Sequence, residues 1–268
     1  MNKIMNVKNF FIVKRNVANL LKSIIISVFC FLVFILPINV KAAYDVEYHN
    51  VTEICSLVYM GYNRGVNGPI IITKGLYQNG ENIKEIYLVT LSGTEIIHGQ
   101  STGYYTDILS GLNLDNPYQR NVVRAIQEYV PKDSNLIFAG HSLGGMIAQQ
   151  VAANETIKND YNVMNTICFG SPLLSAGQRE GIVNRLADKS DVVPFLSGSL
   201  INNTKRALRE VQKEDGGYKN RPLEAHSKSY FRTDLWGNYD VTGVKGGQAI
   251  IKLDTSTRRY FKSPTKWW

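Results

Sequence analysis

Cysteine is scarce in this 268-residue chain, with three residues in all, and Cys30 lies within the first 42. Cys55 and Cys168 are too few for a disulfide framework, and both sit in apolar runs that suit small buried hydrophobes, so no bridge is expected. Histidine is limited to His49, His98, His141 and His226. No Cys and His cluster has metal-ligand spacing and no Gly-rich phosphate loop occurs, so no metal and no cofactor is expected. Acidic residues are missing altogether from residues 1–42, which hold six basic ones and a 13-residue apolar run from Ile24 to Leu36 broken only by Ser27. That run is short of the ~20 residues needed to cross a bilayer.

The basic start, the short apolar centre ended by Pro37 and the small-residue site Val40-Lys41-Ala42 read as a secretory leader over residues 1–42. Cleavage is expected after Ala42 or Ala43, with an uncleaved anchor as the alternative. The remaining 43–268 is expected to be one secreted domain with a basic aromatic C-terminal tail. Without the leader's six basic residues the formal charge of +8 falls to +2, so nucleic acid is not implied as a partner. The tail, with Lys245, Lys252, Arg258, Arg259, Lys262 and Lys266 against Asp254 alone, interleaves Tyr260, Phe261, Trp267 and Trp268. It suits either contact with an anionic lipid or envelope surface or an ordinary solvated edge strand.

Periodicity predicts a helix over Val51 to Tyr62, then strands at Pro69–Thr73 and Glu85–Leu91 about an Asn79-Gly80 hairpin signal. After a long Gly- and Ser-rich connection, a helix over Asn121–Val130 leads into alternating elements. These are strand Leu136–Ala139, helix Ser142–Ala153, strand Val163–Phe169 and a short strand at Ile182–Leu186. Such alternation predicts an α/β fold with a mostly parallel central sheet, helices on both faces and antiparallel edge strands. A short helix is expected at Thr204–Lys213, and a closing strand pair over Tyr239–Leu253 around Gly246-Gly247.

Within this frame Gly140-His141-Ser142-Leu143-Gly144 has the Gly-x-Ser-x-Gly spacing of a nucleophile elbow, with an apolar strand before it and a helical pattern after it. A serine hydroxyl needs a base, usually His, and the base needs a carboxylate to hold its tautomer. His49 and His98 precede the serine and His141 is its neighbour, which leaves His226 as the base. Among the carboxylates after Ser142, Asp191 lies just beyond a predicted strand with Pro194 fixing the turn, and Asp188 is its rival. Asp215 falls in a charged insert, and Asp234 and Asp240 follow His226. Donors for a developing oxyanion are expected from the Leu143 N–H and from Thr94 in Ser92-Gly93-Thr94.

Val89-Thr90-Leu91-Ser92-Gly93-Thr94, the elbow with Ala148, Phe169-Gly170-Ser171-Pro172, Asp191-Val192-Val193-Pro194 and His226 together resemble the class 3, fungal-type lipases of the α/β-hydrolase superfamily. That resemblance implies an α/β-hydrolase fold, the triad Ser142, Asp191 and His226, and an oxyanion hole at Thr94 and Leu143. Where members often carry Phe-Arg-Gly-Thr, this chain has Leu91-Ser92-Gly93-Thr94. The resemblance also implies a lid over residues 95–117, where Ile96, Ile97, Tyr104, Tyr105, Ile108, Leu109, Leu112 and Leu114 equally suit the core face of a fixed helix. The expected activity is a secreted serine carboxylic-ester hydrolase, first of all a lipase acting on acylglycerols. A phospholipase A1, a short-chain carboxylesterase and a non-catalytic envelope-binding protein on the same fold are the alternatives.

Overall fold

The computed structural model describes residues 44–63, 66–93, 117–174, 178–195 and 211–264, all within the compact unit Tyr44–Trp268. The expected leader, Thr94, the segment 95–116, residues 204–210 and the final Trp267-Trp268 lie outside the described residues.

The Asn-Gly signal marks a hairpin: β2 (Ile70–Asn79) and β3 (Asn82–Leu91) run antiparallel, in register from Ile70 opposite Leu91 to Asn79 opposite Asn82. Gly80 takes φ 60° in the turn, a conformation glycine reaches at no steric cost. Both strands outrun their apolar patterns because β2 is paired along its whole length. Its first residues pair with β9 (Arg259–Phe261), and its second half pairs with β8 (Ile250–Leu253). β1 (Val46–Tyr48) closes that side antiparallel to β8.

On the other side of β3 the sheet turns parallel, through β4 (Asn135–His141), β5 (Asn162–Phe169), β6 (Ile182–Asp188) and β7 (Gln212–Glu214). The order is β1-β8-β2-β3-β4-β5-β6-β7, with β9 beside β2. This is the expected α/β architecture, a parallel core with antiparallel edge strands.

Period-2 alternation sends neighbouring residues of one strand to opposite layers. Leu136 and Phe138 of β4 face one apolar layer, with Met146, Ile147 and Val151 of α3 (Leu143–Ala152) and Val122 and Ile126 of α2 (Pro117–Tyr129). Ile137 and Ala139 face the other, with Ile54, Cys55 and Val58 of α1 (Val51–Tyr59) and Trp236 of α6 (Thr233–Trp236). Two shorter helices, α4 (Glu155–Asp160) and α5 (Pro222–Lys228), complete the order. α1 starts on a capping box: Asn50 accepts from the Thr52 and Glu53 N–H groups, and Glu53 reaches back to the Asn50 N–H.

Three expectations need correction. α1 ends at Tyr59, which leaves Tyr62 in a loop. Gln212–Glu214 is a strand and not a helix end, because β6 offers an open ladder beside it. Of Tyr239–Leu253 only the end, β8, is a strand, and it pairs with β1 and β2 and not with the residues before Gly246. Those residues hold one bridge, Tyr239 to Lys245, because the Asp240 carboxylate takes up the N–H groups of Thr242, Val244 and Ala249 that a ladder would use. Cys55 and Cys168 are both free and buried, and burial pushes the Cys168 thiol up to about 12.

Trp236 is fully buried and rings against Tyr230 and Tyr239 at 5.8 and 5.2 Å. Trp236→Ala is expected to cost about 3–5 kcal/mol. Thermal unfolding followed by circular dichroism should show Tm lowered by roughly 6–20 °C.

Candidate active site

β4 delivers the chain to Ser142 through His141, and Ser142 turns it into α3 with φ 55° and ψ −122°. A non-glycine residue held there is strained, and the surroundings must hold it. They do so by backbone contact that only glycine permits. A Cβ on Gly140 would lie 2.4 Å from the Gly144 carbonyl carbon, one on Gly144 2.1 Å from the Leu91 oxygen, and one on Gly145 2.6 Å from the Ser171 Cβ. The Ser142 N–H donates to the Phe169 carbonyl at 2.9 Å, which ties the elbow to β5. Leu143 opens α3, so its N–H belongs to the first turn, where no intrahelical acceptor exists. Gly93 lies against the elbow from the side of β3: a Cβ there would be 2.9 Å from the Ser142 Cβ.

Asp191 follows β6 by three residues and is fully buried. Its Oδ1 accepts from the Val193 N–H at 3.0 Å; its Oδ2 accepts from His226 Nδ1 at 2.9 Å and from the Tyr230 hydroxyl at 2.6 Å. The pairing fixes the His226 tautomer, since the carboxylate claims the Nδ1 proton and leaves Nε2 as an acceptor. Gly170, at φ 55°, makes room for the pair; a Cβ there would lie 2.7 Å from Asp191 Oδ2 and 3.0 Å from His226 Nδ1.

Asp188 has a different task. It accepts from the Ser190 N–H, the Gly216 N–H and the Ser229 hydroxyl, and so clamps the Asp191 turn to the chain just after α5. Arg185, also buried, donates to the Ser171 carbonyl at 3.0 Å and the Pro194 carbonyl at 2.7 Å, which joins the Gly170 loop to the same turn. Asp215 sits on the surface opposite Lys189.

His141 links Ser142 to His226. His141 Nε2 lies 2.9 Å from the His226 carbonyl, which can only accept, so the His141 proton is on Nε2. Nδ1 therefore accepts from the Tyr62 hydroxyl at 2.7 Å, and that hydroxyl accepts from the Gly93 N–H, also at 2.7 Å. The two imidazoles lie 4.5 Å apart, centre to centre. Burial, reinforced by the neighbouring His226, holds His141 well below its ordinary 6.5. It stays neutral, and no second cation opposes charge on His226.

The structure thus brings Asp191 and His226 into direct contact and places Ser142 and Leu143 at the elbow beside them. Among the described residues no hydrogen bond joins Ser142 Oγ to His226. Tyr62, Tyr230 and the clamp Arg185 were not singled out by sequence reasoning, and Asp188 was weighed only as the rival acid. Only Tyr230 had a usable signal, its i, i+4 spacing from His226. Among the described residues no cluster of three metal-ligating side chains occurs, and no helix is long and apolar enough to cross a membrane.

Residues 71–200 match the family described as Lipase (class 3); the match takes in Ser142 and Asp191 and stops before His226. No curated protein matches the chain. Among solved structures, the Lip2 lipase from Yarrowia lipolytica is similar at 12% identity, over 56% of this chain and 76% of that one, with a TM-score of 0.26.

Tyr62→Phe removes the hydroxyl between Gly93 and His141. Steady-state ester hydrolysis should show kcat lowered about tenfold with KM little changed, the worth of about one buried hydrogen bond. A second expectation concerns pH. His141 binds its proton less readily folded than unfolded, so its contribution to stability is complete above 6.5 and is lost as pH falls from 6.5 toward the depressed folded value. Urea unfolding between about pH 7 and pH 5 should show a steeper loss of stability in the wild type than in His141→Gln.

Proposed function

We propose that this chain, which belongs to the class 3 lipase family through residues 71–200, is a secreted serine carboxylic-ester hydrolase that cleaves acylglycerols. The observation that carries the reading is the His226 Nδ1 to Asp191 Oδ2 bond of 2.9 Å at a fully buried carboxylate, beside a serine held at φ 55°. A buried carboxylate bonded to one imidazole nitrogen leaves the other free to take a proton, and a strained elbow serine is placed to supply it.

In this reading Ser142 Oγ attacks the ester carbonyl as His226 Nε2 takes its proton. The Leu143 N–H, with Thr94 as the second donor, stabilises the tetrahedral oxyanion. His226 then protonates the leaving alcohol, the acyl group remains on Ser142, and His226 activates the water that releases it. Asp191 holds the tautomer and stabilises the imidazolium, and Tyr230 holds Asp191. The neutral His141 fits this cycle, because a charged neighbour 4.5 Å away would oppose the imidazolium in each half-reaction. Secretion is proposed from the basic and apolar pattern of residues 1–42.

The test is hydrolysis of p-nitrophenyl esters from acetate to palmitate, with and without a micellar interface, alongside Ser142→Ala. Activity that grows with chain length and at the interface is expected, with kcat lowered ~10⁴-fold or more in Ser142→Ala. Activity confined to short soluble esters would make the protein a carboxylesterase, and preference for the sn-1 ester of a phospholipid would make it a phospholipase A1. Absence of both hydrolysis and fluorophosphonate labelling would replace the enzyme reading with envelope binding.

A further inference from the structure

At the end of the sheet away from Ser142 lies a cavity of about 390 Å³ that ester hydrolysis does not use. Its floor is where the parallel strands begin: Ile137 and Asn165 are neighbours in register across β4 and β5, and Ile182 of β6 lies beside Asn165 at the rim. Asn79 and Asn82 from the β2–β3 turn, and the loop ending at Gln248, form its sides. The volume falls in the range of small-molecule sites, roughly 300–1,000 Å³.

Asn165 is the anomaly on that floor. It shares its face of β5 with the fully buried Ile167 and Phe169, yet it is a carboxamide at 5% exposure. Among the described residues its side chain makes no hydrogen bond, and Oδ1 is buried without a partner. A buried amide left unpaired is costly and needs something to satisfy it.

The rest of the lining indicates what would do so. Asp240, the one carboxylate among the described lining residues, has both oxygens committed, Oδ1 to the Thr242 N–H, the Thr242 hydroxyl and the Val244 N–H, and Oδ2 to the Ala249 N–H. Among the described residues no lysine or arginine lines the cavity. It therefore suits a neutral ligand. The amides of Asn79, Asn82 and Gln248 both donate and accept, as hydroxyl groups require, and the Tyr77 ring suits a flat C–H face. Ile182 and Val244 stand exposed at 64% and 43% at the rim.

We propose that this cavity binds a neutral N-acetylated amino sugar. The acetamido group pairs with Asn165, since it presents a donor and an acceptor together. Its methyl group meets the aliphatic rim, and the sugar ring lies against Tyr77. A peptide shares the amide chemistry, but a bounded cavity with one aromatic wall suits a ring better than an extended chain.

Purified protein titrated with N-acetylglucosamine and its β1,4-linked trimer, followed by amide NMR shifts and calorimetry, tests the site. Saturable shifts are expected around Asn79–Asn82, Asn165 and Asp240–Gln248 but not around Ser142, with glucose at least about tenfold weaker. Asn165→Ala and, at the exposed rim, Ile182→Lys should each weaken binding about tenfold or more while p-nitrophenyl acetate hydrolysis is unchanged. If Asn165→Ala does not fold, Ile182→Lys decides. Absence of saturable shifts, binding retained by the variants, or equal binding of N-acetylalanine methylamide would overturn the proposal. Hydrolysis is read in the same samples, so a chain that binds sugar without cleaving esters would remove the ester-hydrolase reading and leave this one standing.

Discussion

The arrangement of the site depends on one close approach of main chain to main chain. At Gly144 the first turn of α3 presses against the end of β3 so tightly that a single Cβ would lie 2.1 Å from the Leu91 oxygen. Because β3 and β4 are parallel neighbours in register up to Leu91 and Gly140, that contact sets the height of Ser142 relative to Gly93. The positive φ of Ser142 follows from the same constraint. A strand that must enter a helix at once, against an adjacent strand end, has no relaxed route.

The remaining site residues are held by polar bonds. Asp191 comes from the turn after β6 and His226 from α5, and nothing local sets their distance. Buried groups with several partners each do that work. Arg185 joins the Gly170 loop to the Asp191 turn, Asp188 joins that turn to the segment after α5, and Tyr230 fills the acceptor capacity of Asp191 that His226 leaves. Such buried polar networks are favourable when every member is satisfied. The Gly93–Tyr62–His141–His226 chain extends the network across the elbow, so the loop beside Ser142 and the backbone of His226 are joined through one neutral imidazole.

The two ends of the sheet differ in kind. At the carboxyl ends of the parallel strands Arg185, Asp188, Asp191 and His141 are paired around a strained serine, while the Thr90 and Ser92 hydroxyls there are buried without partners among the described residues. Near their amino ends Asn165 is buried and unpaired beside a neutral cavity. In a parallel sheet both ends gather loops from several strands, and either can carry a site.

Local patterns carried much of this in the sequence itself. Apolar runs in β4 and β5, helical spacing in α1 to α3 and the Asn-Gly turn are statements about neighbours in the chain, and they placed the elements and the elbow correctly. His226 was reachable by elimination because it is the one histidine after Ser142, whereas Asp191 was picked from many later carboxylates by its place just beyond a strand. What the sequence by itself determined is therefore the central elements β2 to β6 and α1 to α3, the glycines that permit the elbow, and the residue types available for proton transfer. Only the tertiary structure decided that Asp191 and not Asp188 meets His226, that Tyr62 and Tyr230 belong to the site, that Gln212–Glu214 extends the sheet, and that Asp240 consumes the N–H groups of a strand pair. Each of these turns on a hydrogen bond between residues brought together by the packing of β6, β7 and the loops beyond them, and not on any local periodicity.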